Sequence, residues 1–213
     1  MTDMTELRGV RAGVPLPNIG NEGRQPEEII YARYTYVANR PAGRRIRGER
    51  LSYVVRGVDV MGFVKGRLEG RLPPHVQTRQ PPATATARQR EINVYVGKPC
   101  WVVIELHEGA KMHFAPGQPG ITVEDGHGDD NCNLTHIAPD GTPTDLAGPD
   151  CRMLFFRVQR REDYERQKFH LHIVRDGRHL DDPDQVDPDI PNDGGKFPFP
   201  FIGDGEDEVR ERD

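Results

Sequence analysis

Several groups of side chains in this sequence have types and spacings that could do chemistry. His170 and His172 stand two residues apart, and strand periodicity puts both imidazoles on one face, with Asp176 four residues further on. Joined by His107 and His113 from across a sheet, they would make a divalent-metal site, since imidazole and carboxylate are common ligands. A barrel-type metal site would also want a glycine six residues before the first histidine, where Tyr164 stands, and a second glycine- and histidine-bearing motif, where only an acidic tail follows. Solvent-facing strand histidines are therefore the stronger expectation, with no cofactor bound and a divalent metal as the alternative.

Arg44, Arg45, Arg47 and Arg50 form the best anion-binding segment, with Tyr31, Tyr34 and Tyr36 close in sequence. Arginines interleaved with aromatics suit single-stranded nucleic acid, where bases stack and phosphates pair. The chain as a whole is acidic, with a net charge of -5, and carries no nucleic-acid signature, so nucleic acid is not the favoured partner. Gly126 to Asn133 offers Asp129, Asp130 and Asn133 to a hard cation, but without the spacing of a known calcium loop it reads first as a polar turn.

Other chemistries lose ground. Ser52 is the single serine and lies in a strand pattern without a glycine-flanked elbow, which argues against a serine nucleophile. Cys100, Cys132 and Cys151 are an odd number with no CxxC spacing, as expected of reduced thiols rather than a disulfide framework. No phosphate-binding glycine loop and no GxGxxG after a strand is present, so nucleotide chemistry is not expected, and no catalytic residue is assigned.

The elements that must position these groups are strands. Ile29 to Val37 is rich in aromatic and β-branched residues. Cys100 to His107 is apolar on nearly both faces, which suits the centre of a sheet. Further strands are expected at Ile92 to Val96, Lys111 to Phe114, Gly120 to Val123, Arg152 to Gln159 and Lys168 to Val174. Between Leu51 and Leu72, glycines 57, 62, 66 and 70 are too closely spaced for a stable helix, and two bent strands are expected. The prolines of 73–90 predict a linker, and the polar residues 124–150 a long loop.

The predicted fold is therefore all-β: an antiparallel β-sandwich of about seven to nine strands. Its body spans 29–175, between an extended arm over 1–28 and an acidic, Pro- and Asp-rich tail over 176–213. Residues 27–98 carry a balance of +8 and residues 175–213 one of -8, so the ends could dock on a neighbour. Together these features favour a non-catalytic protein-binding or self-assembly module with a protein partner or a second copy, and the enzyme reading comes second. No apolar run is long enough to span a bilayer and the first residues lack the pattern of an export signal, so a cytoplasmic protein without membrane contact is expected.

Overall fold

The computed structural model describes residues 14–16, 18, 28–37, 45–48, 52–56, 58–71, 76–79, 99–123, 131–158, 165–179 and 189–192. In chain order the elements begin with β1 (Val14–Pro15), β2 (Glu28–Val37), β3 (Arg45–Gly48), β4 (Ser52–Arg56), helix α1 (Val60–Leu68) and β5 (Val76–Arg79). β6 (Cys100–Leu106), a 3-10 turn (Glu108–Ala110), β7 (Met112–Phe114), β8 (Ile121–Val123), β9 (Asn131–Ile137) and β10 (Pro143–Thr144) follow. β11 (Met153–Val158), β12 (Glu165–Leu171), β13 (Ile173–Arg175), β14 (Arg178–His179) and β15 (Asp189–Asn192) complete the set.

β6 is apolar on both faces because both are covered. It lies inside an eight-stranded sheet of order β10-β9-β11-β6-β2-β4-β5, with β3 paired to the second half of β2. One face of this sheet, including Ile30, Tyr34, Val102, Ile104, Leu154 and Phe156, packs with Phe114, Ile121, Phe169 and Ile173. Those partners belong to two smaller sheets, β1-β8-β12-β15 and β14-β13-β7. The opposite face, including Ile29, Tyr31, Trp101, Val103, Met153 and Phe155, packs with Phe63 and Val64 of α1.

The strand-rich character is as expected, but the pairing is not that of an antiparallel sandwich. β2 and β6 run parallel, in register from Ile29↔Trp101 to Tyr34↔Leu106, and the strands divide into sheets of eight, four and three. A parallel neighbour requires a long connection, which β3, β4, α1, β5 and the chain up to residue 99 supply. Hydropathy patterns mark a strand without marking the direction of its partner.

Of the two strands expected between Leu51 and Leu72, the first is present as β4, and helix α1 stands in place of the second. Its start is fixed by the Asp59 carboxylate, which accepts the Gly62 N–H at 2.8 Å. A Cβ at Gly62 would meet that carboxylate at 3.0 Å, so the glycine that weakens the helix also admits its cap. At the other end Gly70, at φ +75, closes a Schellman turn: its N–H bonds Arg67 O and the Arg71 N–H bonds Gly66 O. Burial of Phe63 and Val64 supplies what propensity does not.

Two further segments depart from expectation. β9 lies within the predicted 124–150 loop and pairs with β11 through a bulge, where buried Asn133 takes φ 56. The predicted strand over Lys168 to Val174 is two strands: β12 pairs with β8, then at His172 the chain passes to another sheet, where β13 pairs with β7. Phe169, Leu171 and Ile173 are buried throughout this passage, so the period-2 pattern survives the change of sheet. β1 and β15 come from the expected arm and tail and pair with β8 and β12. The linker contains β5, and its other residues, with Ile92 to Val96, lie outside the described residues.

Candidate active site

On the helix-covered face, four residues align across the sheet: Ile137 of β9 opposite Met153 of β11, Met153 opposite Glu105 of β6, and Glu105 opposite Arg33 of β2. Half of this row is apolar and half is charged. Tyr31, two residues before Arg33, shares its face and edges against the Phe63 ring with centroids 5.3 Å apart. From above, Val60, Phe63, Val64 and Arg67 of α1 follow the i, i+3, i+4, i+7 spacing of a core-facing stripe. Arg67 thus occupies the last position of an apolar stripe and meets Glu105, the one ionisable group in β6 apart from its leading cysteine.

The contacts are specific. Arg67 Nε donates to Glu105 Oε2 at 3.1 Å and Arg67 Nη2 to Oε1 at 3.2 Å, a two-pronged guanidinium–carboxylate pair. The Tyr31 hydroxyl donates to Glu105 Oε2 at 2.6 Å, and the Arg67 guanidinium lies 5.2 Å from the centre of the Tyr31 ring. Arg33 Nε is 3.8 Å from Glu105 Oε1. Burial pushes the Tyr31 hydroxyl well above the usual tyrosine range, and the negative charge and hydrogen bond of Glu105 push it further, so it stays a donor. For Arg67, burial works against the charge, but the bond to Glu105 and the neighbouring Tyr31 and Glu105 outweigh it and hold the pKa above its ordinary value.

Where this network ends, the packed layer opens into a cleft of about 460 Å³. Arg67 and Leu68 of α1, Glu105 and Leu106 of β6, Ile137 to Pro139 and Met153 line it, with Glu108, Asp150 and Arg152 also contributing. A turn bonded from Ala138 N–H to Thr142 O holds one rim, with Gly141 close to Leu68. Arg152 is 39% exposed and pairs with Glu108 at 3.4 Å, but Glu108 is itself 86% exposed, so this pair is weak and easily displaced. Arg67, in contrast, is 10% exposed and fixed. The cleft therefore offers a rigid guanidinium, an available one, carboxylate acceptors and an apolar wall.

The residues expected from sequence to bind metal lie in separate local settings. His107 caps the 3-10 turn, its Nδ1 accepting the Gly109 N–H at 2.9 Å. His113 Nδ1 lies 3.0 Å from Phe114 O, and His172 Nε2 lies 2.9 Å from the Thr122 hydroxyl. His170 is half-buried opposite Thr122 in the strand register. Asp176 and Gly177, both at positive φ, form the two-residue turn between β13 and β14 that Asp-Gly favours. Among the described residues no group of three or more His, Cys, Asp or Glu is placed to hold a metal ion. Arg44 and Arg50 lie outside the described residues, as do the side chains of Arg45 and Arg47 in β3, and Asp129 and Asp130. The three cysteines are buried and unbridged, and burial raises the Cys151 thiol pKa.

The Tyr31, Arg67 and Glu105 network was not singled out from the sequence. Its signal was present as two exceptions to apolar patterns, an arginine closing a core stripe and a glutamate in an otherwise apolar strand. Either alone reads as an edge position, and only their meeting makes a site. No helix among the described residues is long and apolar enough to cross a membrane.

No curated protein matches the chain. Residues 56–195 match the model of a family described as predicted novel nucleotide synthetase, and the chain belongs to that family. This membership overturns the expectation of a non-catalytic binding or assembly module, and with it the expectation that nucleotide chemistry is absent. The absent glycine loop misled because phosphate can also be met by arginine side chains, without any sequence-local motif.

Proposed function

We propose that this member of the nucleotide synthetase family is an enzyme that binds a nucleotide in the cleft between the end of α1 and the ends of β6, β9 and β11. The observation that carries this reading is the convergence of Arg67 and Arg152, from separate elements, on one cavity whose lining residues all fall within 56–195. Planar guanidinium forks bind phosphate in two-pronged fashion, and stabilising charge on a reacting phosphate is the main task in phosphoryl and nucleotidyl transfer. The apolar wall of Leu68, Ile137, Pro139 and Met153 gives the base or sugar a surface, as small-molecule sites do. Arg152 reorients from Glu108 to the incoming phosphate at little cost, because the pair it leaves is exposed.

Titration calorimetry with ATP, GTP, CTP and UTP tests the reading, using the full chain and its Arg152→Ala variant. At least one triphosphate is expected to bind, with affinity falling about tenfold or more in the variant, as for loss of a charged hydrogen-bond partner. Absence of binding by the unmodified protein would sink the proposal, and equal binding by both proteins would move the site elsewhere.

A further inference from the structure

Glu105 and Tyr31 hold Arg67 in an arrangement that stability alone does not call for. The helix stripe ending at Arg67 is otherwise apolar, and the sheet row containing Glu105 is apolar on the side of Met153 and Ile137, with Arg33 on the other side. A partly buried ion pair in such a place is often matched or exceeded in stability by apolar residues of similar volume. The charged network instead stands at the boundary where packed core becomes cavity, and Arg67 and Glu105 both line that cavity.

We infer that Glu105 and Tyr31 are positioning residues that preset the Arg67 guanidinium to receive a nucleotide phosphate, an inference that rests on the nucleotide reading of the cleft. Glu105 takes the Nε and Nη2 edge of the fork, at 3.1 and 3.2 Å, which leaves the Nη1 edge for a ligand. The Tyr31 ring supports the guanidinium, and its hydroxyl, kept protonated, ties down the Glu105 oxygen that also accepts Arg67 Nε. Rotation of any member breaks the bonds of the others, so the arginine's rotamer freedom is spent during folding and not on binding. Phosphate recognition is thereby divided between this fixed arginine and the adjustable Arg152.

The division is tested by the affinity of each nucleoside triphosphate relative to its nucleoside, for ATP, GTP, CTP and UTP against adenosine, guanosine, cytidine and uridine. Tyr31→Phe, Glu105→Gln and Arg67→Lys are compared with the unmodified protein, their folding checked by circular dichroism. Each variant is expected to lower the triphosphate-to-nucleoside ratio about tenfold or more while nucleoside affinity changes little, a phosphate-specific effect that a general structural role would not produce. Tyr31→Phe removes one oxygen and leaves the charges in place, so it reports on positioning even if Glu105→Gln folds poorly. A ratio unchanged in Tyr31→Phe and in folded Glu105→Gln, with triphosphate binding intact in the unmodified protein, would overturn the positioning role and leave the nucleotide reading standing. Failure of the unmodified protein to bind any of the triphosphates removes both.

Discussion

The face of the eight-stranded sheet that carries the two smaller sheets is packed mainly by apolar side chains, with Glu28 and His136 buried among them, whereas the face that carries α1 passes from apolar packing to a charged network beside a cleft. Both faces are lined by alternate residues of the same strands, so the difference lies in what covers them. Strands from several other chain segments can tile a broad surface. A nine-residue helix covers only a stripe, and where it ends the sheet is left open. Polar residues there remain beside the cleft. One buried polar group on the strand-covered side, His136, is fully buried, edges against Phe114, and accepts the Gly120 N–H at Nε2, 3.0 Å away. Burial lowers its pKa, against a weaker opposing pull from the backbone of Thr144 and Asp145 and the Asp145 charge, so it behaves as a neutral core residue.

The comparison can be broken most forcefully from the strand-covered face. Phe156→Ala, which empties a fully buried position there, is expected to cost about 3 to 5 kcal/mol in urea unfolding. A loss below about 1 kcal/mol would mean that this face is not close-packed.

The charged network should respond differently. Arg67→Met alone leaves the Glu105 carboxylate without its two-pronged partner and is expected to cost about 1 to 3 kcal/mol. Combined with Glu105→Gln, which keeps an acceptor for the Tyr31 hydroxyl, most of that loss should return while triphosphate binding stays weak. Recovery of stability without recovery of binding would mark the network as functional; additive losses in the double variant would mark it as structural.

The smallest expected effect concerns pH. Because the folded pKa of His136 is depressed, its neutral form contributes stability that is present above the unfolded value of about 6.5 and is lost as pH falls below it. Unfolding free energies at pH 7.5 and 5 should therefore differ less in His136→Gln than in the unmodified protein. An equal difference in both would assign the acid sensitivity to other groups.

Much of the strand content was legible because it depends on neighbouring residues. Aromatic and β-branched runs gave β2, the doubly apolar β6 and β11, and the alternation of Phe169, Leu171 and Ile173 gave one face of β12 and β13. Helix α1 was hidden because its stability comes from the Asp59 cap, the Gly70 turn and the burial of Phe63 and Val64 against the sheet, which outweigh its glycines. β9 was hidden by polar residues on a strand that bulges at Asn133.

The candidate site was less legible still. Glu105 lies 38 residues from Arg67 and 74 from Tyr31, separations at which no local pattern connects them. The histidines were suggestive by type, but His107, His113 and His172 meet nearby backbone and hydroxyl partners, and no group of three or more potential metal ligands forms among the described residues. By itself the sequence determined most of the extended segments and many of the buried apolar positions, because strand period and hydropathy act between near neighbours. The parallel pairing of β2 with β6, the placement of α1 over that pair and the meeting of Tyr31, Arg67 and Glu105 were decided by tertiary structure, because each depends on contacts that exist only once distant parts of the chain have packed.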